Sequence, residues 1–259
     1  MDFNIRKEGG FTYIETGGGK ETILLLHGLF GALNNFEGII KHFGNTYNVV
    51  VPILPIFEIP LRKLSVMGLV EHVYHFAEYK GYDQIHLLGN SLGGHIALLF
   101  ALQHPEKVRS LILTGSSGLF ESAMGTSFPK RGDKDFIRRK TQNTFYRPEV
   151  ATDELIDEIY ATVNDRNKAI RVIATAKSAI RHNLGANLGQ IHKPVLLIWG
   201  INDTITPAFV GEKFHQLLPD SRLFFIDECG HAPMMEHPET FNTYLEAFLE
   251  EYAVSTAAV

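Results

Sequence analysis

A serine at position 91 stands between two glycines where a strand pattern changes into a helix pattern. The segment reads Gly89-Asn90-Ser91-Leu92-Gly93, after the apolar run Ile85 to Leu88 and before the breaker-free run His95 to Gln103. Apolar runs of these lengths predict a buried strand and a helix. Residues without a Cβ let a strand and the next helix pass closely at a sharp turn. The pattern therefore predicts a tight turn that presents the Ser91 hydroxyl at its tip.

Short apolar runs alternate with longer runs of helical period over most of the chain. Strands are predicted at 22–27, 47–51, 83–88, 108–114, 194–199 and 222–227, and helices at 35–43, 65–80, 92–104, 207–217 and 238–252. The apolar runs within 22–27 and 194–199 are continuous, which is typical of strands covered on both faces. We expect an α/β fold with a mainly parallel sheet, helices on both faces and an antiparallel edge hairpin of residues 3–6 and 11–15.

The alternation pauses between about Gly118 and Gln190. No strand pattern occurs there, but helices are predicted from Thr152 to Val163 and from Asn167 to Arg181. A strand-and-helix fold that pauses for about 70 residues and then resumes contains an insertion. We predict a core domain of residues 1–117 and 191–259, and a helical cap of residues 118–190 over the carboxyl edge of the sheet.

The first third of the predicted cap is rich in basic residues. They are Lys130, Arg131, Lys134, Arg138, Arg139, Lys140 and Arg147, against Asp133 and Asp135. Such a run is typical of a solvated surface. Alternatively, its charge attracts acidic substrates toward the mouth of a site.

Composition restricts the location and partners of the chain. Its 259 residues, 45% of them apolar, suffice for one large core, and a net charge of -5 argues against nucleic-acid binding. No run approaches the roughly 20 apolar residues of a membrane span, and residues 1–10 lack the apolar segment of a signal peptide. One cysteine, Cys229, excludes an intrachain disulfide and a CxxC site. A cytoplasmic protein without metal or cofactor, of unknown oligomeric state, is expected.

The Ser91 hydroxyl needs partners to become reactive, because serine is a weak nucleophile near neutral pH. Those partners are a base within hydrogen-bond reach and a carboxylate that orients the base. Among twelve histidines, His231 follows the last predicted strand, and Asp203 follows the strand before it. Loops at the carboxyl ends of parallel strands meet at one edge of the sheet, where the turn at Ser91 also lies. We therefore expect these three residues to meet.

Several alternatives remain at the level of the residues. Asp227 and Glu228 could orient the base instead of Asp203, although Asp227 ends its own strand beside the histidine loop. His27 is interpreted as a partner of loop backbone, and His95 as a packing histidine. Cys229 is interpreted as a small buried filler.

The order of these residues along the chain resembles that of the α/β-hydrolase superfamily, and the resemblance covers nearly the whole sequence. The turn at 89–93 is similar to the nucleophile elbow of that superfamily. The resemblance implies a catalytic triad of Ser91, Asp203 and His231. A serine nucleophile excludes the Asp-dependent dehalogenases and epoxide hydrolases, which leaves acyl transfer to the serine and release to water.

The resemblance also implies an oxyanion hole. The pair His27-Gly28, after the first parallel strand, is similar to the oxyanion loop of the superfamily. By this similarity, the backbone N–H groups of Leu29 and Leu92 would hold the developing negative charge. The expected partner is a small-molecule ester or acyl substrate.

Two subgroups within the superfamily are indicated by different segments. Residues 27–35 are similar to small acyl-ester hydrolases. Residues 89–94 and 236–242 resemble meta-cleavage-product hydrolases, which break carbon–carbon bonds in vinylogous diketones. Those enzymes usually carry a Gly-Pro-containing oxyanion loop, which this chain lacks, and a cap arginine, for which Arg171 and Arg181 are candidates. Ester hydrolysis is favoured, and carbon–carbon hydrolysis or a slow-turnover ligand receptor are the alternatives.

Three residues are predicted to contact the substrate. Phe30 belongs to the oxyanion loop and Asn90 to the turn before Ser91. Phe57 belongs to the apolar, glycine-free segment 52–60, where relatives usually have an Asp and a Gly-x-Gly turn. This segment is either a loop packed under the cap or an apolar pocket wall, and the second role would favour hydrophobic acyl or aryl groups.

Overall fold

Eight strands form one sheet among the residues that the computed structural model describes, which are 4–31, 33–120 and 131–252. They are β1 (Arg6–Glu8), β2 (Phe11–Glu15), β3 (Thr22–Leu26), β4 (Asn48–Pro52), β5 (Ile85–Asn90), β6 (Val108–Thr114), β7 (Val195–Gly200) and β8 (Ser221–Ile226). Their order across the sheet is β1-β2-β4-β3-β5-β6-β7-β8. Strands β3 to β8 pair in parallel, whereas β1 and β2 are antiparallel to their neighbours. The predicted mainly parallel sheet is confirmed.

The first strand of the edge hairpin differs from the predicted 3–6: residues 4 and 5 are not in a strand, and Phe3 lies outside the described residues. The observed strand is Arg6–Glu8, and Glu8 lies opposite Phe11. The two residues between the strands, Gly9 and Gly10, have φ values of 59° and 83°. A two-residue hairpin turn with positive φ at both positions fixes the register of the flanking strands. The glycine pair therefore decides where the first strand pairs.

Helices cover both faces of the sheet. They are α1 (Glu37–Phe43), α2 (Val66–Lys80), α3 (Leu92–Gln103), α4 (Lys134–Gln142), α5 (Asp153–Asn164), α6 (Arg166–Arg181), α7 (Ala208–Leu217), α8 (Pro233–Glu236) and α9 (Pro238–Tyr252). Short 3-10 turns occupy Leu33–Phe36, Leu61–Lys63, Pro105–Lys107, Pro148–Val150 and Leu188–Gln190. In the described ranges, no helix combines the length and apolar character needed to cross a bilayer.

Strand β3 shows why its sequence is apolar without alternation. Leu24 and Leu26 are fully buried in one core layer, together with α2, α3 and α7. Ile23 and Leu25 are fully buried in a second layer on the opposite face, together with α1 and α9. Successive side chains of a strand point to opposite faces, so a strand between two helical layers needs apolar residues at every position.

The turn between β5 and α3 depends on close backbone packing. A Cβ on Gly89 would lie 2.4 Å from the carbonyl group of Gly93, and a Cβ on Gly93 would lie 1.9 Å from the carbonyl oxygen of Leu26. Ser91, between the two glycines, has φ 55° and ψ -118°. The N-terminus of α3 therefore lies directly on the ends of β3 and β5, and the side chain of Ser91 stands at the carboxyl edge of the sheet.

The helices α4, α5 and α6 lie between β6 and β7 in the chain, as the pause in the pattern predicts. The basic run contains a helix, α4, that the pattern did not indicate. It begins after Asp133, whose carboxylate accepts the N–H of Phe136 at 2.8 Å. Several of its charges pair with α5: Arg138 lies 2.7 Å from Asp153, and Lys134 pairs with Asp157. Most of this run is thus exposed to solvent, two of its basic side chains are ion-paired, and Lys130 lies outside the described residues.

Hydrogen bonds join α6 and its following loop to the sheet layers. The Ser178 hydroxyl accepts the N–H of Val66 at the start of α2 (3.0 Å), and the N–H of Leu184 donates to the carbonyl of Gly118 (2.8 Å). The division into a core of 1–117 and 191–259 and a cap of 118–190 remains a prediction.

The packing of the turn predicts a large penalty for a methyl group at Gly93. In Gly93→Ala the Cβ would meet the backbone oxygens of Leu26 and His27 at 1.9 and 2.9 Å. Overpacking against backbone costs about 1–3 kcal/mol or more, so we expect a clearly lower urea midpoint. Gly189→Ala is the control, because a Cβ there meets nothing within 4 Å. Equal midpoints for the two variants would contradict this account of the turn.

Candidate active site

The backbone around Ser91 is held from several sides. Its N–H donates to the carbonyl of Thr114 at 3.1 Å, and its own carbonyl accepts the N–H groups of His95 (3.2 Å) and Ser117 (3.1 Å). Positive φ at a residue with a side chain persists only where the surroundings over-determine it. Strand β6 and helix α3 supply that constraint, so the hydroxyl has a defined direction at the edge of the sheet.

His231 and Asp203 meet at this same edge. Nδ1 of His231 lies 2.9 Å from Oδ2 of Asp203, whose side chain is fully buried. Oδ1 accepts the N–H groups of Ile205 (2.7 Å) and Thr206 (2.9 Å), and Oδ2 also accepts the Thr206 hydroxyl (2.8 Å). An ionised carboxylate only accepts hydrogen bonds. Nδ1 therefore carries a proton, and Nε2 is the nitrogen left to accept one.

The alternative carboxylate lies elsewhere. Asp227 is exposed, and its Oδ1 accepts the N–H of Glu228 at 2.8 Å. It stabilises the tight turn at Glu228, where φ is 50°. Cys229, next in the chain, is fully buried, and burial raises the pKa of its thiol. These positions agree with a turn-forming Asp227 and a filler role for Cys229.

Thr206 and Glu236 contribute contacts that the sequence patterns did not indicate. Thr206 holds Asp203, as described above. Glu236 is buried, and its carboxylate accepts the N–H of Gly230 at 2.9 Å and that of Tyr146 at 2.7 Å. It thus joins the histidine loop to the segment that follows α4. Its place in segment 236–242, which carried the resemblance to the carbon–carbon hydrolases, was the available signal.

Asn90 faces the histidine loop with its amide nitrogen. That nitrogen donates to the carbonyls of Thr114 (3.0 Å) and His231 (3.1 Å). Asn90 also lines the cavity described below. A molecule in that cavity can reach the rest of the Asn90 side chain, as the predicted substrate contact requires. Gly115 packs closely against the imidazole of His231, because a Cβ there would lie 2.8 Å from Nδ1. The residue that follows β6 thus packs against the ring of His231.

His27 fixes the loop after β3. Its Nε2 accepts the N–H of Leu54 at 3.1 Å, so Nδ1 is the protonated nitrogen and donates to the carbonyl of Gly28 at 2.8 Å. Burial lowers the pKa of His27, which favours this neutral form. The interpretation of His27 as a partner of loop backbone agrees with these contacts.

The Gly28 carbonyl determines the direction of the next N–H group. A trans peptide points its C=O and N–H in opposite directions. With the Gly28 carbonyl bound by His27 and by the N–H of Gly31 (3.0 Å), the N–H of Leu29 is turned the other way. The N–H of Leu92, at the first position of α3, belongs to a helix N-terminus, where the first N–H groups have no intrahelical partner.

Ser91 and His231 open into one large cavity of about 280 Å³. Its walls combine the loop after β3, including Leu29 and Phe30, with side chains of α4, α5 and α6. The apolar side chains from these helices are Phe136, Ile137, Leu155, Ile159 and Val172. Pockets of this kind, apolar with a few convergent polar groups, are typical of small-molecule sites.

A smaller cavity of about 70 Å³ also reaches Ser91. It shares Leu29 and Ile205 with the large one. Its further lining residues are Leu92, Ser117, Phe120, Ala176, Ala179, Ile180 and Thr206. Behind it, His95 is fully buried and bonded to the carbonyl of His182 at 2.9 Å, and burial lowers the pKa of His95 to about 4. A packing role for His95 agrees with this environment.

The predicted contact Phe57 and the two candidate arginines, Arg171 and Arg181, line neither of the two cavities described above. Phe57 packs below Lys168, whose ammonium lies 5.5 Å from the ring centroid. Arg171 donates to the carbonyl of Ile59 in the same segment, and Arg181 is exposed. Leu54 and Ile56 in this segment are buried in the core, so segment 52–60 is a loop packed under α6. Its position gives no support to a substrate contact by Phe57.

Comparison with known proteins extends over nearly the whole chain. The family described as alpha/beta hydrolase fold matches residues 21–149 and 157–238. A 2-hydroxy-6-oxononadienedioate/2-hydroxy-6-oxononatrienedioate hydrolase of Paraburkholderia phymatum is 30% identical, over 92% of this chain and 90% of that protein. MGS-MChE2, an alpha/beta hydrolase enzyme from the sediment metagenome of the Mar Chica lagoon, Morocco, is 43% identical with a TM-score of 0.80, over 96% of this chain and 98% of that one.

A bacterial membrane phospholipase A is also similar. It is 26% identical with a TM-score of 0.83, over 97% of this chain and 86% of that one. The family match includes the turn at Ser91 and the loops of Asp203 and His231. The chain therefore belongs to the α/β hydrolase fold family and is an enzyme of the hydrolase class.

Proposed function

We propose that this enzyme hydrolyses carboxylic esters through an acyl-enzyme intermediate on Ser91. The observation that carries the proposal is the meeting of three groups at one cavity. Ser91 stands at the strained tip of a turn, His231 lines the same cavity, and the Nδ1 of His231 is held by the buried carboxylate of Asp203. A nucleophile, a base and a group that orients the base are the parts that acyl transfer to serine requires.

In the first half of the reaction, Oγ of Ser91 attacks the carbonyl carbon while Nε2 of His231 accepts the hydroxyl proton. The N–H groups of Leu29 and Leu92 stabilise the negative charge that develops on the carbonyl oxygen. When the carbon–oxygen bond to the alcohol breaks, His231 returns the proton to the leaving oxygen. In the second half, His231 takes a proton from water as the water oxygen attacks the acyl carbon. It returns that proton to Oγ of Ser91 when the bond between Oγ and the acyl carbon breaks and the carboxylic acid leaves.

Asp203 holds the imidazole in the tautomer that this sequence needs. The protonated Nδ1 faces the carboxylate, so Nε2 is free to accept the proton of Ser91. Asp203 also stabilises the imidazolium that forms after this transfer. The Thr206 hydroxyl and two backbone N–H groups donate to the buried carboxylate and hold it in place.

The proposed cap, residues 118–190, supplies the apolar wall that selects the substrate. Side chains from α4, α5 and α6 cover the site and make its main cavity hydrophobic. Apolar walls exclude water from the acyl-enzyme and favour uncharged substrate groups. An ester with hydrophobic substituents fits this environment.

Hydrolysis of carbon–carbon bonds is the second candidate, supported by the similarity to the Paraburkholderia hydrolase, which is named for a dioate substrate. A dioate needs a cation in the site. Arg171 is bound to loop backbone and Arg181 is exposed, which weighs against this reading. Lys140 is the one basic side chain other than histidine among the described residues that line the main cavity, and it could take this place.

Replacement of the proposed nucleophile gives the most direct test. In Ser91→Ala we expect loss of labelling by a fluorophosphonate probe and loss of p-nitrophenyl acetate hydrolysis, because no hydroxyl remains at the turn. Ser221→Ala is the control: Ser221 begins β8, at the opposite end of the strand from the site, and the variant is expected to leave labelling intact. Labelling of Ser91→Ala at equal stoichiometry would remove the assignment. Repeated turnover by the parent enzyme would exclude a slow-turnover receptor.

A pair of substitutions distinguishes Asp203 from Asp227 as the carboxylate that orients the base. Asp203→Asn is expected to lower kcat by about 10⁴-fold, because the amide no longer holds the imidazole in the required tautomer. Asp227→Asn is expected to leave kcat within about twofold. Asp227 lies at an exposed turn, and substitutions at exposed positions usually have small effects. Steady-state kinetics with p-nitrophenyl acetate measure both. A loss below tenfold in Asp203→Asn would contradict the assigned role.

The two nitrogens of His27 are tested separately. His27→Asn keeps a donor near the position of Nδ1, and His27→Gln keeps an acceptor near the position of Nε2. We expect the Gln variant to lose about tenfold or more in kcat at similar KM, because the Gly28 carbonyl that directs the Leu29 N–H loses its donor. The Asn variant should lose less. A larger loss in the Asn variant would show that the contact with Leu54 is the one that matters.

A further inference from the structure

The two cavities that meet at Ser91 differ about fourfold in volume. The larger measures about 280 Å³ and the smaller about 70 Å³. Both contain Ser91, Leu29 and Ile205 in their walls. A substrate whose carbonyl carbon is bonded to Oγ of Ser91 must therefore send one substituent into each cavity.

His231 distinguishes the two sides. Among the described lining residues, His231 borders only the large cavity, whereas Leu92 borders only the small one. The leaving oxygen must come within hydrogen-bond reach of Nε2 to receive its proton. The alcohol part of an ester then extends into the cavity that His231 borders. The acyl part, which stays on Ser91, is left with the small cavity.

We infer that the preferred substrates are esters of a short, uncharged acyl group with a long or bulky apolar alcohol. This inference rests on the proposed ester hydrolysis. A cavity needs about 10–15 Å³ to hold one water molecule. By that scale the small cavity holds on the order of five non-hydrogen atoms, which corresponds to acetyl through butanoyl groups, and the large one on the order of twenty.

The walls of the small cavity explain its size. Phe120 closes it from one side and is itself backed by Phe209, whose ring lies 5.1 Å away at 80°. Helix α6 contributes the small side chains Ala176 and Ala179. One turn earlier on the same helix, Val172 faces the large cavity. One helix thus contributes to the walls of both cavities.

Two isomeric esters test the orientation without a difference in composition. Hexyl acetate and ethyl hexanoate have the same formula, but their long chains lie on opposite sides of the carbonyl. We expect kcat/KM for hexyl acetate to exceed that for ethyl hexanoate by at least about tenfold. Equal values, or a preference for ethyl hexanoate with Ser91 labelled by fluorophosphonate, would overturn the orientation alone. Failure to cleave either ester, without labelling, would overturn the proposed function as well.

A pair of substitutions on α6 tests the two cavities separately. Ala176→Val narrows the small cavity and is expected to lower kcat/KM for hexyl butanoate relative to hexyl acetate by about tenfold. Val172→Phe narrows the large cavity and is expected to lower kcat/KM for hexyl acetate relative to ethyl acetate by a similar factor. Ratios of substrates within one variant cancel any loss of folded protein. The reverse pattern, with each variant affecting the other ratio, would overturn the assignment.

Discussion

The contact between the N-terminus of α3 and the ends of β3 and β5 is the constraint on which the site depends. Gly93 lies so close to the carbonyl of Leu26 that no side chain fits between them. This contact forces the chain through the strained conformation of Ser91 and fixes its hydroxyl at the carboxyl edge of the sheet. The loops that follow β3, β6, β7 and β8 leave from the same edge, so every other part of the site is placed relative to this turn.

Burial of Asp203 is the second requirement. A buried carboxylate needs hydrogen-bond partners, because a polar group without solvent or partners costs free energy. Two backbone N–H groups, the Thr206 hydroxyl and the His231 imidazole are these partners. The same bonds fix the ring of His231, so one network satisfies the buried carboxylate and orients the proposed base. Glu236 extends the support, because it joins the loop of His231 to the segment after α4.

The helices between β6 and β7 give the site its chemical character. The sheet edge supplies the polar groups, whereas α4, α5 and α6 supply apolar walls and divide the space around Ser91 into unequal parts. Helix α6 lines both cavities, so under the proposed function it is the element where substitutions change which substituents fit. One fold can host different functions when the site grafted on it changes.

The sequence by itself determined the sheet, the turn at Ser91 and the order of Ser91, Asp203 and His231, because continuous apolar runs and glycine spacing are local consequences of burial and close backbone packing. It did not show helix α4, whose ion pairs lie on another helix. Nor did it place Phe57, Thr206 or the two arginines, since a side chain's partners across the fold leave no periodic signal. Only the tertiary structure decided which groups line each cavity, because cavity walls come from segments far apart in the chain.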